Sequence, residues 1–132
     1  MVETHGACFS SGMPSQTAFR IAAIIGFLGV ALGAFGAHGF HDLLEKNGRL
    51  ATWETAVLYH LTHGVALLLI ATLAPLRRIA WWLMLAGIVI FSGTLYVLAL
   101  TNVKWLGAMT PVGGLCLLAG WLALAFGKTE VR

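Results

Sequence analysis

Gly33-Ala34-Phe35-Gly36-Ala37-His38-Gly39-Phe40-His41 and Tyr59-His60-Leu61-Thr62-His63-Gly64 stand where two long apolar runs meet one polar connection. They carry two His-x-x-His pairs, His38 with His41 and His60 with His63. Ionisable side chains next to apolar runs are costly, so their placement asks for a physical reason.

Outward from the first of these stretches, the apolar run reaches back to Phe19, opened by Arg20 and free of other charge before Asp42. A run of roughly 20 apolar residues covers a hydrocarbon core of about 30 Å. A signal peptide is the competing reading, since Ala34-Phe35-Gly36-Ala37 resembles a small-residue cleavage site. The glycines favour a span instead. Gly26, Gly29, Gly33 and Gly36 are three and four apart on one helix face, and Gly29 and Gly33 form a G-x-x-x-G pair that lets helices approach closely in lipid.

His41 to Thr55 reads either as a solvated loop or as a short interfacial helix. Phe40, Leu43, Leu44 and Leu50 recur among its charges, and Asn47-Gly48 is a turn signal. Trp53 suits a headgroup-level anchor. Ala56 to Leu76 is the second span, Ile79 to Leu100 the third and Gly107 to Gly127 the fourth. Pro is tolerated in a first helical turn, so Thr110-Pro111 suggests that regular helix begins near Pro111. The expected organisation is a flexible tail over 1–18, a transmembrane domain over 19–127 and a short tail over 128–132. The fold class is all-α: a polytopic membrane protein built as a four-transmembrane-helix bundle.

Composition agrees. Of 132 residues, 59% are hydrophobic and 10% charged, and the mean hydropathy is +0.88. A soluble domain carries about 25% charged residues, so this chain lacks the means to cover a water-facing surface. Eight Lys/Arg stand against five Asp/Glu, but the cations sit near segment ends and form no stripe for nucleic acid. Arg20, Arg77, Arg78, Lys128 and Arg132 fall on one side of the bilayer; Lys46, Arg49 and Lys104 fall on the other. That balance places both termini in the cytoplasm and the chain in the cell (inner) membrane. Cys8 and Cys116 lie in dissimilar settings, and no disulfide is expected between them. His5 and Cys8 read as tail residues.

Depth follows from the rise of about 1.5 Å per residue. With Arg20 and Arg77 at one boundary, His38 and His60 come out level near the opposite boundary, and His63 one turn deeper. Tyr59, Thr62, Ser92, Thr94, Tyr96 and Thr110 fall in that same half, leaving Thr72 alone in the other. Buried polar groups need partners. The expectation is a polar pocket of His38, Tyr59, His60, His63, Ser92, Tyr96 and Thr110 above a dry, glycine-packed plug.

Several of these segments are familiar together. Gly29-Val30-Ala31-Leu32-Gly33-Ala34-Phe35-Gly36-Ala37-His38-Gly39 is followed by Trp53-Glu54-Thr55-Ala56-Val57-Leu58-Tyr59 and His63. Then come Phe91-Ser92-Gly93-Thr94-Leu95-Tyr96 and the run from Trp105 to Gly114. From about residue 20 to 126 the chain resembles the bacterial domain-of-unknown-function family numbered 423, whose eukaryotic relative is called transmembrane protein 256. The resemblance implies a small polytopic membrane protein without an assigned activity. His38 and His63 match its motifs; His41 and His60 do not.

Three functions compete. The first is a structural or accessory subunit that packs with itself as a homo-oligomer or with a larger membrane complex. The second is a binding protein or carrier whose pocket takes a small molecule, ion or lipid headgroup. The third is a metal or haem site on His38, His60 and His63, since imidazole suits zinc, copper and iron. No nucleophile–base pair or phosphate loop points to an enzyme, and no particular cofactor is specified.

Overall fold

The computed structural model describes residues 13–73 and 75–127. They form α1 (Ser15–Ala37), α2 (His41–Lys46), α3 (Leu50–Ala71), α4 (Arg78–Thr101) and α5 (Leu106–Phe126). All but α2 are long and apolar enough to cross a membrane, with 21 to 24 residues each. At 1.5 Å per residue that is about 32–36 Å, enough for a hydrocarbon core of about 30 Å. His5, Cys8, Lys128 and Arg132 lie outside the described residues.

The long helices pack as a bundle in the order α1 on α3, α3 on α4, α4 on α5. α3 is the central member. Of its most apolar 18-residue stretch 44% is buried inside the protein, against 17% for α1 and for α5. It also carries His60 and His63, so the most polar span is the one most enclosed by protein, as the cost of polar groups in lipid demands.

The boundaries differ from the sequence reading at informative places. α1 begins at Ser15 and ends at Ala37. The connection after it folds down as α2, and Gly48 (φ +66°) makes the turn into α3. Asn47 donates its side-chain amide to the carbonyls of Ala99 (3.0 Å) and Leu100 (3.2 Å). Those carbonyls belong to the last turn of α4, where no helical amide remains to satisfy them. With the turn made by three residues, Asn47 to Arg49, α3 starts at Leu50 and not at Ala56. Trp53 is consequently no headgroup anchor but a buried side chain, 2% exposed. It stacks among Phe40 and Tyr96 with ring centroids 5.7 and 4.7 Å away.

The end of α3 at Ala71, six residues short of Arg77, moves the histidines. Gly36 lies against Trp53, Gly33 against Val57, and Gly29 against His60 and Leu61. His60 is therefore at mid-span, whereas His38 caps the end of α1. At 1.5 Å per residue the two are about 13 Å apart along the bundle axis; they are not level. In α5 the helix begins at Leu106, so Pro111 lies inside it. A prolyl nitrogen has no hydrogen to give the carbonyl four residues back. The first turn is entered through short bonds, Gly107 N–H to Lys104 and Ala108 N–H to Trp105.

Two seams are closed by glycine. Along α1, a Cβ on Gly29 would come within 2.6 Å of Leu61 Cδ2, and one on Gly36 would overlap the Trp53 indole. Gly33 has more room, with Val57 at 3.3 Å, and Gly26 faces open space. Between α4 and α5, a Cβ on Gly113 would overlap the Phe91 backbone, and one on Gly87 would overlap Leu117. The α4–α5 seam escaped the sequence reading, although Gly113 and Gly120 are seven apart and share a helix face.

Candidate functional site

The two histidines of α3 organise the interior. His60 Nε2 lies 2.8 Å from the carbonyl of Ile25 on α1. A carbonyl only accepts, so Nε2 carries the proton and donates. In the neutral ring Nδ1 is then a lone-pair acceptor, to which the Tyr96 hydroxyl of α4 donates at 3.0 Å. One imidazole thus ties three helices, and both of its nitrogens are used.

His63, one turn on, is arranged the other way round. Nδ1 lies 2.8 Å from the Tyr59 carbonyl on its own helix and must donate to it. Nε2 accepts from the Trp121 indole N–H of α5 at 3.1 Å. Indole only donates, so the assignment is again forced. The Tyr59 ring lies nearly parallel to the imidazole, 5.7 Å away at 16°. As neutral rings the two histidines hold opposite tautomers. Through them α3 is bonded to α1, α4 and α5.

Other polar side chains of the span follow the same pattern. Ser92 is buried and donates to the Ala56 carbonyl at 2.8 Å. Thr94 bonds its own helix at Ile90 and also meets Thr110 Oγ1 at 3.0 Å, linking α4 to α5. Trp53 donates its indole N–H to the Leu32 carbonyl at 3.0 Å. Among the described residues, the indole nitrogen of Trp81 is buried without a partner.

The expected pocket residues are therefore divided. Tyr96 and Ser92 meet α3, His60 joins Tyr96, and His63 joins Tyr59 and Trp121; Thr110 pairs with Thr94. His38 is apart from all of these and exposed at the end of α1. The structure does not bring His38, His60 and His63 to one point, and a metal at His60 or His63 would have to replace a bond now made to Tyr96 or Trp121. His41, Asp42 and Glu45 do have ligand atoms within 4.8 Å of one another, on the exposed side of α2. Their i, i+1, i+4 spacing on six helical residues accounts for that. Trp121 gave no advance signal, because α3 and α5 are not neighbours in the chain.

Two crevices flank α3. The larger, about 800 Å³, lies between α3 and α5 over Phe91, with Tyr59, His63 and Trp121 among its walls. The smaller, about 500 Å³, lies between α1 and α3 toward the α2 end and has His41 and Glu54 among its lining residues.

Comparison with known proteins agrees with this architecture. The family model described as "Protein of unknown function (DUF423)" matches residues 32–114. The "UPF0382 membrane protein SH2409" of Staphylococcus haemolyticus is 44% identical over 108 residues, covering 79% of this chain and 88% of its own. The "UPF0382 membrane protein SSP2132" of Staphylococcus saprophyticus is 41% identical over 115 residues, covering 84% and 95%. The "UPF0382 membrane protein YwdK" of Bacillus subtilis is 44% identical over 110 residues, covering 79% and 89%. No solved structure matches. With its four candidate spans, this chain is a multi-pass membrane protein and belongs to the DUF423 family.

Proposed function

We propose that this protein is a structural or accessory subunit of the membrane, packing with copies of itself or into a larger membrane complex. One observation carries the reading: both mid-membrane histidines spend both ring nitrogens on holding helices together. Intramembrane ionisable residues are by default a site for chemistry, and here their chemical capacity is used up by architecture. The flanks add support. α1 and α5 each have one long-helix neighbour, leaving faces such as Phe27 and Val30 on α1, and Leu115, Leu118 and Leu122 on α5, well exposed. In lipid, such faces are free to take another helix.

The cation balance between the helix ends supports termini on the cytoplasmic side, with α2 on the other. In a cysteine-free background, Lys46→Cys should react with an impermeant thiol reagent from outside only, and Ser15→Cys from inside only. The opposite pattern overturns the orientation.

The subunit role is tested by disulfide crosslinking of single cysteines in native membranes. Positions 115, 118 and 122 on α5, and 27 and 30 on α1, should yield a defined crosslinked species with helical periodicity. A uniform monomer at every position, with a stoichiometric metal that is lost in His63→Ala, would replace the structural reading with a ligand site.

A further inference from the structure

The crevice between α1 and α3 differs from its neighbour in where its polarity lies. Its depth is apolar: Gly33 and Gly36 on one wall, Val57 and Leu61 on the other. Trp53 also lines it, but its N–H is already given to the Leu32 carbonyl. Polarity is confined to two lining residues at the α2 end, His41 on α2 and Glu54 in the first turns of α3.

Glu54 is the informative one. It is exposed and makes no hydrogen bond or ion pair with a described residue. Glu54 lies one turn into α3, at the α2 end of the bundle, and its carboxylate is free to take a cationic partner there. Next to His41 on α2, the fully exposed Asp42 lies 3.7 Å from the imidazole. Of the cations near this end, Arg49 is turned away to Asn102, with Nε donating to Oδ1 at 3.0 Å. The mouth therefore offers acceptors and negative charge, above a slot without either.

We infer that this crevice is a binding site for a bilayer phospholipid with a primary-amine headgroup, the ammonium at Glu54 and His41 and one acyl chain beside Gly33, Val57 and Leu61. A primary ammonium brings three donors to an acceptor-rich rim, and charge-assisted bonds to a carboxylate are the stronger kind. A phosphate or glycerol headgroup supplies no cation, and a choline headgroup supplies charge without an N–H. The volume of about 500 Å³ falls in the range of small-ligand pockets, about 300–1,000 Å³, which suits a single chain. This site does not depend on the subunit role proposed above.

The test is native mass spectrometry of the full chain released from nanodiscs containing equal parts of phosphatidylethanolamine, phosphatidylcholine and phosphatidylglycerol. One phosphatidylethanolamine per chain should be retained, with a preference of about fivefold over either of the others, the scale of a partly exposed ion pair. Glu54→Gln should bring retention down to the phosphatidylcholine level. Ala37→Trp, placed at an exposed crevice residue, should displace the lipid by filling the slot. Lys104→Gln should change nothing. Thermal unfolding of each variant separates lost binding from lost folding, and Ala37→Trp keeps the test alive if Glu54→Gln fails to fold. Equal retention of the three lipids overturns the site. So does phosphatidylethanolamine retention that survives Ala37→Trp, or that survives Glu54→Gln in a folded variant.

Discussion

On one side α3 seats its side chains directly on the α1 glycines; on the other it reaches α5 across an open crevice through one imidazole–indole bond. Gly29 and Gly36 make the first seam so close that a methyl group has no room. The second seam holds about 800 Å³ of space, spanned by Trp121 and His63. Lipid supplies no hydrophobic drive for helices to associate, so contact must come from packing or from polar bonds. The α1 side uses both, and the α5 side uses chiefly the second. The α1 seam should therefore be intolerant of bulk, and the α5 seam tolerant of bulk but sensitive to the loss of a donor.

The largest effect is expected at Gly36. Gly36→Ala drives a Cβ into the Trp53 indole, costing the Trp53–Leu32 bond and disturbing the rings of Phe40 and Tyr96. Overpacking of this kind costs about 1–3 kcal/mol, and a lost membrane hydrogen bond adds about 0.6 kcal/mol or more. Gly26→Ala, which meets nothing within 4 Å, is the reference. Equal unfolding midpoints in detergent for the two variants would dissolve the distinction between the seams. Gly127, near a helix end, is a poor reference, because a Cβ there would crowd Arg77 and the Ala123 carbonyl.

Next comes His60→Ala, which removes two interhelical bonds and leaves the Tyr96 hydroxyl without its acceptor. A loss of about 2 kcal/mol is expected, from bonds worth about 0.6 to 2 kcal/mol each. Tyr96→Phe in the same background should cost less than it does alone, giving a coupling of about 1 kcal/mol in a double-mutant cycle. Strict additivity would mean that the two side chains do not share a bond.

Trp121→Phe should do less, about 1 kcal/mol or under, since it deletes one donor and keeps an aromatic ring. If it proves as damaging as His60→Ala, the α5 seam is not the weaker one. Smallest of all is Leu118→Phe, on the lipid-exposed lining of the larger crevice. Surface changes away from special features stay within about 0.5 kcal/mol. A larger loss would mean that the crevice is closed in the membrane.

The residues themselves show how far reading could go. The glycines at 29, 33 and 36 announced a packing face because their spacing is a property of one helix, and their partner on α3 was not needed to see it. The α4–α5 glycines, Gly87 on one helix and Gly113 and Gly120 on the other, form no G-x-x-x-G pair within either helix. His60 and Tyr96 were each picked out as polar residues needing a partner. That they are each other's partner depends on the α1–α3–α4 register, which no local pattern specifies. His38, expected beside them, was misplaced through the other end of α3: depth counted at helical rise from Arg77 includes six residues beyond Ala71, where the helix has already ended.

What the sequence alone determined was the class: four apolar segments of spanning length, a polar connection containing a turn, and the family the motifs belong to. These follow from composition and from periodicity within single helices, and the bilayer enforces them, since any spanning segment must satisfy its own backbone. Only the tertiary structure decided that α3 is the centre, that its two histidines hold opposite tautomers, that Trp53 is buried and that the Trp121 indole N–H reaches His63. Each depends on which carbonyl or ring lies opposite, over 21 to 58 residues of separation. That pairing is set by packed helix against packed helix, and a single helix carries no record of its neighbour's register.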